Sequence, residues 1–232
     1  MNDLTKVDDE TFELESYRLF LDISSACTGY CVAKIQKGRT QNLSDSTCEI
    51  VRAGAFWFPK TMNTQQKAYY IYRIITDDFY IVSAITDIVY ERFSFNTKQP
   101  AGSLVLPQLI GAVMVASQDI PSLPMGVEEI PPQTWRSQCG IKYVTGEDGK
   151  RDYKTPTIEH FRKEHGKAIP EKIYSNVTGK ERQVPHDCFD ALGICEGWHR
   201  KMGINKFKIK DGAFNSQLND GEVLADLGVD DA

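Results

Sequence analysis

The order of its short apolar runs constrains this chain most. YRLFLDI (17–23) is one such run, SSACTG is a turn signal, and YCVAKIQ (30–36) is a second run, so the segment reads as two antiparallel strands joined by a tight turn. A polar loop at 37–47 leads into EIVRAGAFWF (49–58), a third strand that completes a meander. Residues 63–84 have helical periodicity, with Asn63 or Thr64 as cap, and DIVYERF (87–93) returns to a strand with a charged end. SLVLPQLIGAVMVAS (103–117) is apolar enough for a buried helix, with Pro107 confined to its first turn. MGVEEIPP (125–132) is a fifth strand ended by its prolines, and PQTWRSQCG is a short helix stopping at Gly140. The polar, basic stretch IKYVTGEDGKRDYK precedes a helix at 155–166 with Thr155 as cap and Pro156 at its first position. In HDCFDALGICEGWH (186–199), Cys188, Ala191, Leu192, Cys195 and Trp198 recur at the spacing of one helix face. This order predicts a mixed five-stranded α/β sheet with helices on both faces.

The chain of 232 residues, 41% hydrophobic and 25% charged, suits one globular domain with room for extended ends. No stretch approaches the roughly 18 apolar residues of a membrane span. The first residues, MNDLTKVDDETFELES, are acidic where a signal peptide is basic and then apolar, so the expectation is a cytoplasmic protein with no membrane partner. Six cysteines (27, 31, 48, 139, 188 and 195) form no C-x-x-C pair and are expected to be reduced, mostly buried thiols without chemistry.

The net charge of −5 conceals an uneven distribution. Residues 1–16 carry six acids and one lysine, residues 212–232 carry five acids and no base, and residues 17–211 carry 21 acids against 26 bases. The expected organisation is an acidic arm (1–16), a basic domain (17–211) and an acidic, solvated tail (212–232). Within the domain, Arg136, Lys142, Lys150, Arg151 and Lys154 form one basic series and Lys201, Lys206, Lys208 and Lys210 another. Such runs are ordinary solvated faces unless they border a site that handles phosphates.

Four acids stand where that order of elements can bring them together. Asp22 sits near the end of the first strand inside an apolar run, where an ionised carboxylate is costly without compensation. Glu91 closes the fourth strand in the same way, and Asp187 and Asp190 lie one turn apart on the last helix. If the first and fourth strands are parallel neighbours, their acidic ends share one edge of the sheet and the helix can lay its aspartates over them. Taken singly, each acid also fits a structural role: a strand-end turn residue, a surface ion pair, or a partner for the positive end of a helix. Taken together, they suit a cage for hard dications, since oxygen-only donors select Mg²⁺ or Mn²⁺ over zinc. Two such ions about 4 Å apart promote phosphodiester cleavage. His186 adjoins the aspartates and could position water or a phosphate.

The same residues carry a resemblance. LDISSACTGYCVA resembles the first hairpin of RuvC-type Holliday junction resolvases, where an Asp ends the first strand and Thr-Gly follows. YERFSFNTKQPAGSLVLPQLIGAVMVAS is similar to their second segment, VEEIPPQTWRSQCG to their E-x-x-P strand and following helix, and HDCFDALGI to their final D-x-x-D-A-L. The four motifs occur in the family's order over most of residues 17–200. The resemblance implies an RNase H-like fold, a homodimer, two Mg²⁺ ions per site with Mn²⁺ as a substitute, and paired nicks across a four-way DNA junction. It makes Asp22, Glu91, Asp187 and Asp190 the catalytic metal ligands and Arg136 and Lys154 DNA contacts, with Phe95 stacking near the junction centre; His186 joins the DNA contacts by its place beside the aspartates. Leu21 before the first Asp, and Ile23-Ser24 after it, depart from the cellular pattern and point to a divergent phage or viral relative. Three other readings differ in substrate or chemistry: an RNase H-fold nuclease for other branched DNA or RNA–DNA hybrids, a junction-binding protein without catalysis, and an actin-like ATP-binding protein. The last needs a Gly-Gly adenosine motif, and the sequence contains no Gly-Gly, so no nucleotide cofactor is expected.

Overall fold

A computed structural model describes residues 17–36, 43–79, 85–93, 104–120, 126–146 and 149–215, with the single positions 218, 223, 224 and 227. The acidic arm and Phe95 lie outside the described residues. Strands β1 (Tyr17–Ile23), β2 (Cys27–Gln36) and β3 (Thr47–Trp57) form the expected antiparallel meander. Helix α1 (Thr64–Arg73) starts with a reciprocal capping box between Asn63 and Gln66 and runs into a π-helical turn, Ile74–Phe79. Strand β4 (Ile85–Glu91) then pairs parallel to β1, helix α2 (Val105–Asp119) follows, and β5 (Gly126–Ile130) pairs parallel to β4.

The remaining elements hold some differences from the sequence reading. Helix α3 (Pro132–Gln138) is as expected, but the polar stretch after it contains a small hairpin, β6 (Val144–Thr145) with β7 (Arg151–Asp152), steadied by Arg151 over the Tyr143 ring. Helix α4 spans Lys154–His165 and is capped not by Thr155 but by Asp152, whose Oδ1 accepts the Lys154 and Thr155 backbone N–H groups. A second hairpin, β8 (Lys172–Tyr174) with β9 (Glu181–Gln183), precedes α5 (His186–Lys201). The basic series after α5 supplies β10 (Lys206–Ile209), which pairs parallel to β3 and gives the main sheet a sixth strand in the order β10-β3-β2-β1-β4-β5. Lys206 and Lys208 take half of the four positions of β10, which leaves too short an apolar pattern to read as a strand, and Lys208 pairs with Glu49 at 2.9 Å.

Helices cover both faces of the sheet. Strand alternation sends Leu19 and Leu21 into a core with α1 and α2, and Phe20 into a core with α3, α4 and α5. Asp22 and Glu91 have the parity of Phe20 and Val89, so both acids face the α5 side. The acidic tail departs from the expectation of a solvated segment at four apolar positions: Ala213, Phe214, Val223 and Leu224 are buried in these cores. Burial of these side chains outweighs the charge of their neighbours locally.

Gly29 lets α5 reach the sheet. It pairs with Asp22 across β1 and β2, and a Cβ at this position would lie 2.0 Å from the Asp187 carbonyl oxygen. Only a residue without a side chain allows the first turn of α5 this close to β2. Gly29→Ala should therefore lift that turn and destabilise the protein by about 1–3 kcal/mol or more, as overpacking does. Chemical denaturation of the variant beside the native chain measures this, and unchanged stability would refute the close approach.

Candidate functional site

Parallel pairing of β1 with β4 puts Leu21 opposite Tyr90, so Asp22 and Glu91 stand next along their strands at one end of the sheet. Pro185 opens α5 with extended backbone, which leaves Asp187 in the first turn, where the free N–H groups of the helix favour negative charge. Asp190 follows one turn on, and both aspartates are buried. Asp187 accepts a hydrogen bond from Ser24 and has His186 Nδ1 at 3.6 Å from its Oδ2.

The short helix α3 closes the other side. Trp135 Nε1 donates to Glu91 Oε2 at 2.8 Å, while its ring is fully buried against α5, where a Cβ on Gly193 would meet it at 2.3 Å. The next residue, Arg136, places Nη2 3.7 Å from Glu91 Oε2 and 3.9 Å from Asp190 Oδ1. Its guanidinium lies 4.4 Å from the Trp135 ring centre and 5.0 Å from that of Tyr153, and its buried Nε has no partner among the described residues.

Electrostatics tie the four carboxylates together. Burial, then the charges of Asp190, Glu91 and Asp187, push Asp22 well above the ordinary carboxylate range, with Arg136 opposing. Burial, with Glu91 and Asp187 adding, pushes Asp190 up to about 7 against the pull of Arg136 and Lys154. Asp187 and Glu91 are raised chiefly by burial, opposed by His186 and Arg136 respectively. The site therefore holds more negative charge than Arg136 neutralises, and its donors are all carboxylate oxygens, which suits a hard divalent ion. Among the described residues, no three of these acids bring oxygens within 4.8 Å of one another, so closing the ring on an ion calls for side-chain rotation.

The four acids expected from the sequence thus converge, with Arg136 between two of them. Lys154 acts electrostatically on His186, Asp187 and Asp190, which places it at the same rim. Trp135 and Ser24 are the contributors that sequence reasoning missed. A tryptophan inside a short helix reads as core, and only its indole N–H, aimed at Glu91, gives it a second role.

No family model matches the chain, and no curated protein matches it. Solved structures do. The chain is similar to Thermus thermophilus RuvC in complex with a Holliday junction substrate, with a TM-score of 0.55 and 13% identity over 81% of this chain and 96% of that one. It is also similar to Thermus thermophilus RuvC alone, with a TM-score of 0.53 and 14% identity over 82% and 98% of the two chains. At these identities the likeness speaks for the fold, and the class is plain: a mixed α/β protein of RNase H-like fold. Within that class, the chain has the fold of RuvC.

The clustered acids hold protons more tightly in the folded chain than in the unfolded one, so without divalent ions the contribution of Asp190 to stability is fully present below its unfolded value near 3.8 and is lost as pH rises to about 7. Thermal melts across that window should show the fall in native protein and a flatter profile in Asp190→Asn, and identical slopes would refute the coupling. Trp135→Phe keeps an aromatic ring in the core but removes part of the buried indole together with the donor to Glu91. It should cost about 1.5–3 kcal/mol, the range for a hydrogen bond to a charged group, as read by urea denaturation.

Proposed function

We propose that this protein is a divalent-metal-dependent endonuclease that cuts four-way DNA junctions, working as a homodimer with one acidic cluster per strand. The single observation that carries the reading is the convergence of Asp22, Glu91, Asp187 and Asp190 from two parallel strand ends and one helix N-terminus. Among the described residues, a cavity of about 190 Å³ opens beside Asp22 and Glu91, with Phe93, Leu106 and Pro132 in its wall, which gives a sugar-phosphate backbone room to approach the acids.

Asp22, Glu91, Asp187 and Asp190 would hold the ions. A pair of Mg²⁺ or Mn²⁺ ions bound there supplies acidification of the attacking water and neutralisation of charge on the scissile phosphate. Asp22 acts at the centre, because all three other acids act on it. Trp135 fixes Glu91 by its indole N–H, so that carboxylate is oriented before substrate arrives. Arg136 holds Glu91 and Asp190 and offers its guanidinium to a phosphate oxygen that displaces one of them. Lys154 adds positive charge at the rim. His186 is half-exposed beside Asp187; burial holds its imidazole below the usual range, against Asp187 and with Lys154, so it is neutral near pH 7 and able to accept a proton.

Cleavage assays with four-way junctions, flaps and RNA–DNA hybrids test the reading. Paired symmetric nicks confined to the junction support it, whereas cutting of flaps or hybrids alone transfers the same site to a different RNase H-fold nuclease. Asp22→Asn should abolish cleavage and keep junction binding, since removing an anion reduces repulsion of the phosphates. Full activity in that variant would show that the chemistry lies elsewhere. Junction affinity should fall linearly on a log-log plot against salt, and Lys154→Ala should lower the slope by roughly one phosphate contact.

A further inference from the structure

A second cluster of side chains with ligand chemistry lies inside the protein, on the same helix as the aspartates. Cys195 and His199 are one turn apart on α5 and face Cys48 on β3; all three are buried, with 0%, 1% and 0% exposure respectively. One ligand atom from each lies within 4.8 Å of the other two. Cys48 Sγ and Cys195 Sγ are 3.7 Å apart, and His199 Nδ1 is 3.5 Å from Cys195 Sγ. Cys31 on β2 packs its thiol against Cys195 and donates to the Ala191 carbonyl at 3.4 Å, just outside the group of three.

Three features separate this cluster from ordinary buried thiols. The 3.7 Å sulfur separation is far beyond the roughly 2.05 Å of a disulfide, and it matches the about 3.8 Å between two thiolates that a tetrahedral zinc holds at 2.3 Å each. His199 is an imidazole in an apolar core between Phe20 and Trp198, with Nδ1 2.8 Å from the Cys195 carbonyl and Nε2 without a partner among the described residues. Nδ1 is the ring nitrogen beside the sulfurs, so ligation would exchange its contact with the carbonyl for one with the ion. Finally, two sulfurs and one imidazole, with the Cys31 sulfur packed beside them, form a soft-donor set that has no use for the hard ions suited to the carboxylates.

We propose that Cys48, Cys195 and His199 bind one structural Zn²⁺, with Cys31 turning from the Ala191 carbonyl to complete the set, and that the ion clamps α5 to β2 and β3. Each thiol that ligates gives up its proton to solvent as the ion binds during folding, and no redox change occurs. The site is closed, with four protein donors and no open position. Its effect is mechanical: it fixes the middle of the helix whose first turn carries Asp187 and Asp190. The assignment stands apart from the nuclease reading, because it concerns different residues and a different ion.

The test uses the full chain, expressed with zinc in the medium and purified without chelator. Elemental analysis after dialysis should find about one zinc per chain, released when p-hydroxymercuribenzoate modifies the thiols. Protein refolded in Co²⁺ should show the sulfur-to-cobalt charge-transfer band and the intense visible bands of a tetrahedral thiolate site. Cys48→Ser and His199→Gln should each weaken or abolish those bands, whereas Asp22→Asn should keep them, which separates this site from the carboxylates. Should the two cluster variants fail to fold, the native cobalt spectrum decides. Background zinc with no charge-transfer band, iron or copper in place of zinc, or a non-reduced peptide joining Cys48 to Cys195 would each overturn the proposal.

Discussion

Four carboxylates crowded at one end of a sheet are the constraint on which the rest of this structure depends. Left alone they repel, and each is raised above its ordinary range chiefly by burial, with the neighbouring acids adding at Asp22 and Asp190. The fold nevertheless drives them together, because the forces that place them are larger and lie elsewhere. Parallel pairing of β1 with β4 is fixed by the ladder and by the apolar side chains of both strands, and the approach of α5 is fixed by the core it shares with β1 and β2. A packed core supplies stabilisation that a few like-charge contacts cannot cancel. The repulsion is thus stored at the site, available to be relieved by cations.

The relief available within the chain is partial. Helix α3 contributes it through two adjacent residues: Trp135 donates to Glu91 and locks α3 to α5, and Arg136 lays its guanidinium between Glu91 and Asp190. Neither reaches Asp187, whose charge is met by Ser24, His186 and the start of its own helix. One guanidinium among four acids leaves a net negative pocket, and this excess, rather than the presence of any single acid, suits the site to a dication. The same helix α5 that delivers the aspartates is held farther along by its packing around Cys195 and His199. Positions far apart on one rod thereby share responsibility for the geometry at its tip.

Much of this was legible in the chain. The apolar run ending in Asp22, the strand ending in Glu91 and the helical spacing of Asp187 and Asp190 located the acids before any coordinates, because period-two and period-3.6 patterns are local properties. The sixth strand was not legible, since Lys206 and Lys208 leave only two apolar residues in a four-residue edge strand. Nor was the cap of α4: Asp152 outcompetes Thr155 because its carboxylate reaches two N–H groups at once. The buried part of the acidic tail was masked by composition, which averages over the few apolar residues that dock. Cys48 and Cys195 showed no motif, being 147 positions apart.

By itself the sequence determined the order of the first five strands and the five helices, the face each residue of those strands takes and the spacing of acids along their own strand or helix. Those follow from backbone geometry within a few residues. Only the tertiary structure decided that β1 and β4 are neighbours, that α5 descends onto Gly29, that Trp135 and Arg136 join the acids, and that Cys48 meets Cys195 and His199. Such meetings depend on how rigid elements pack against one another across long stretches of chain, and no local periodicity encodes that placement.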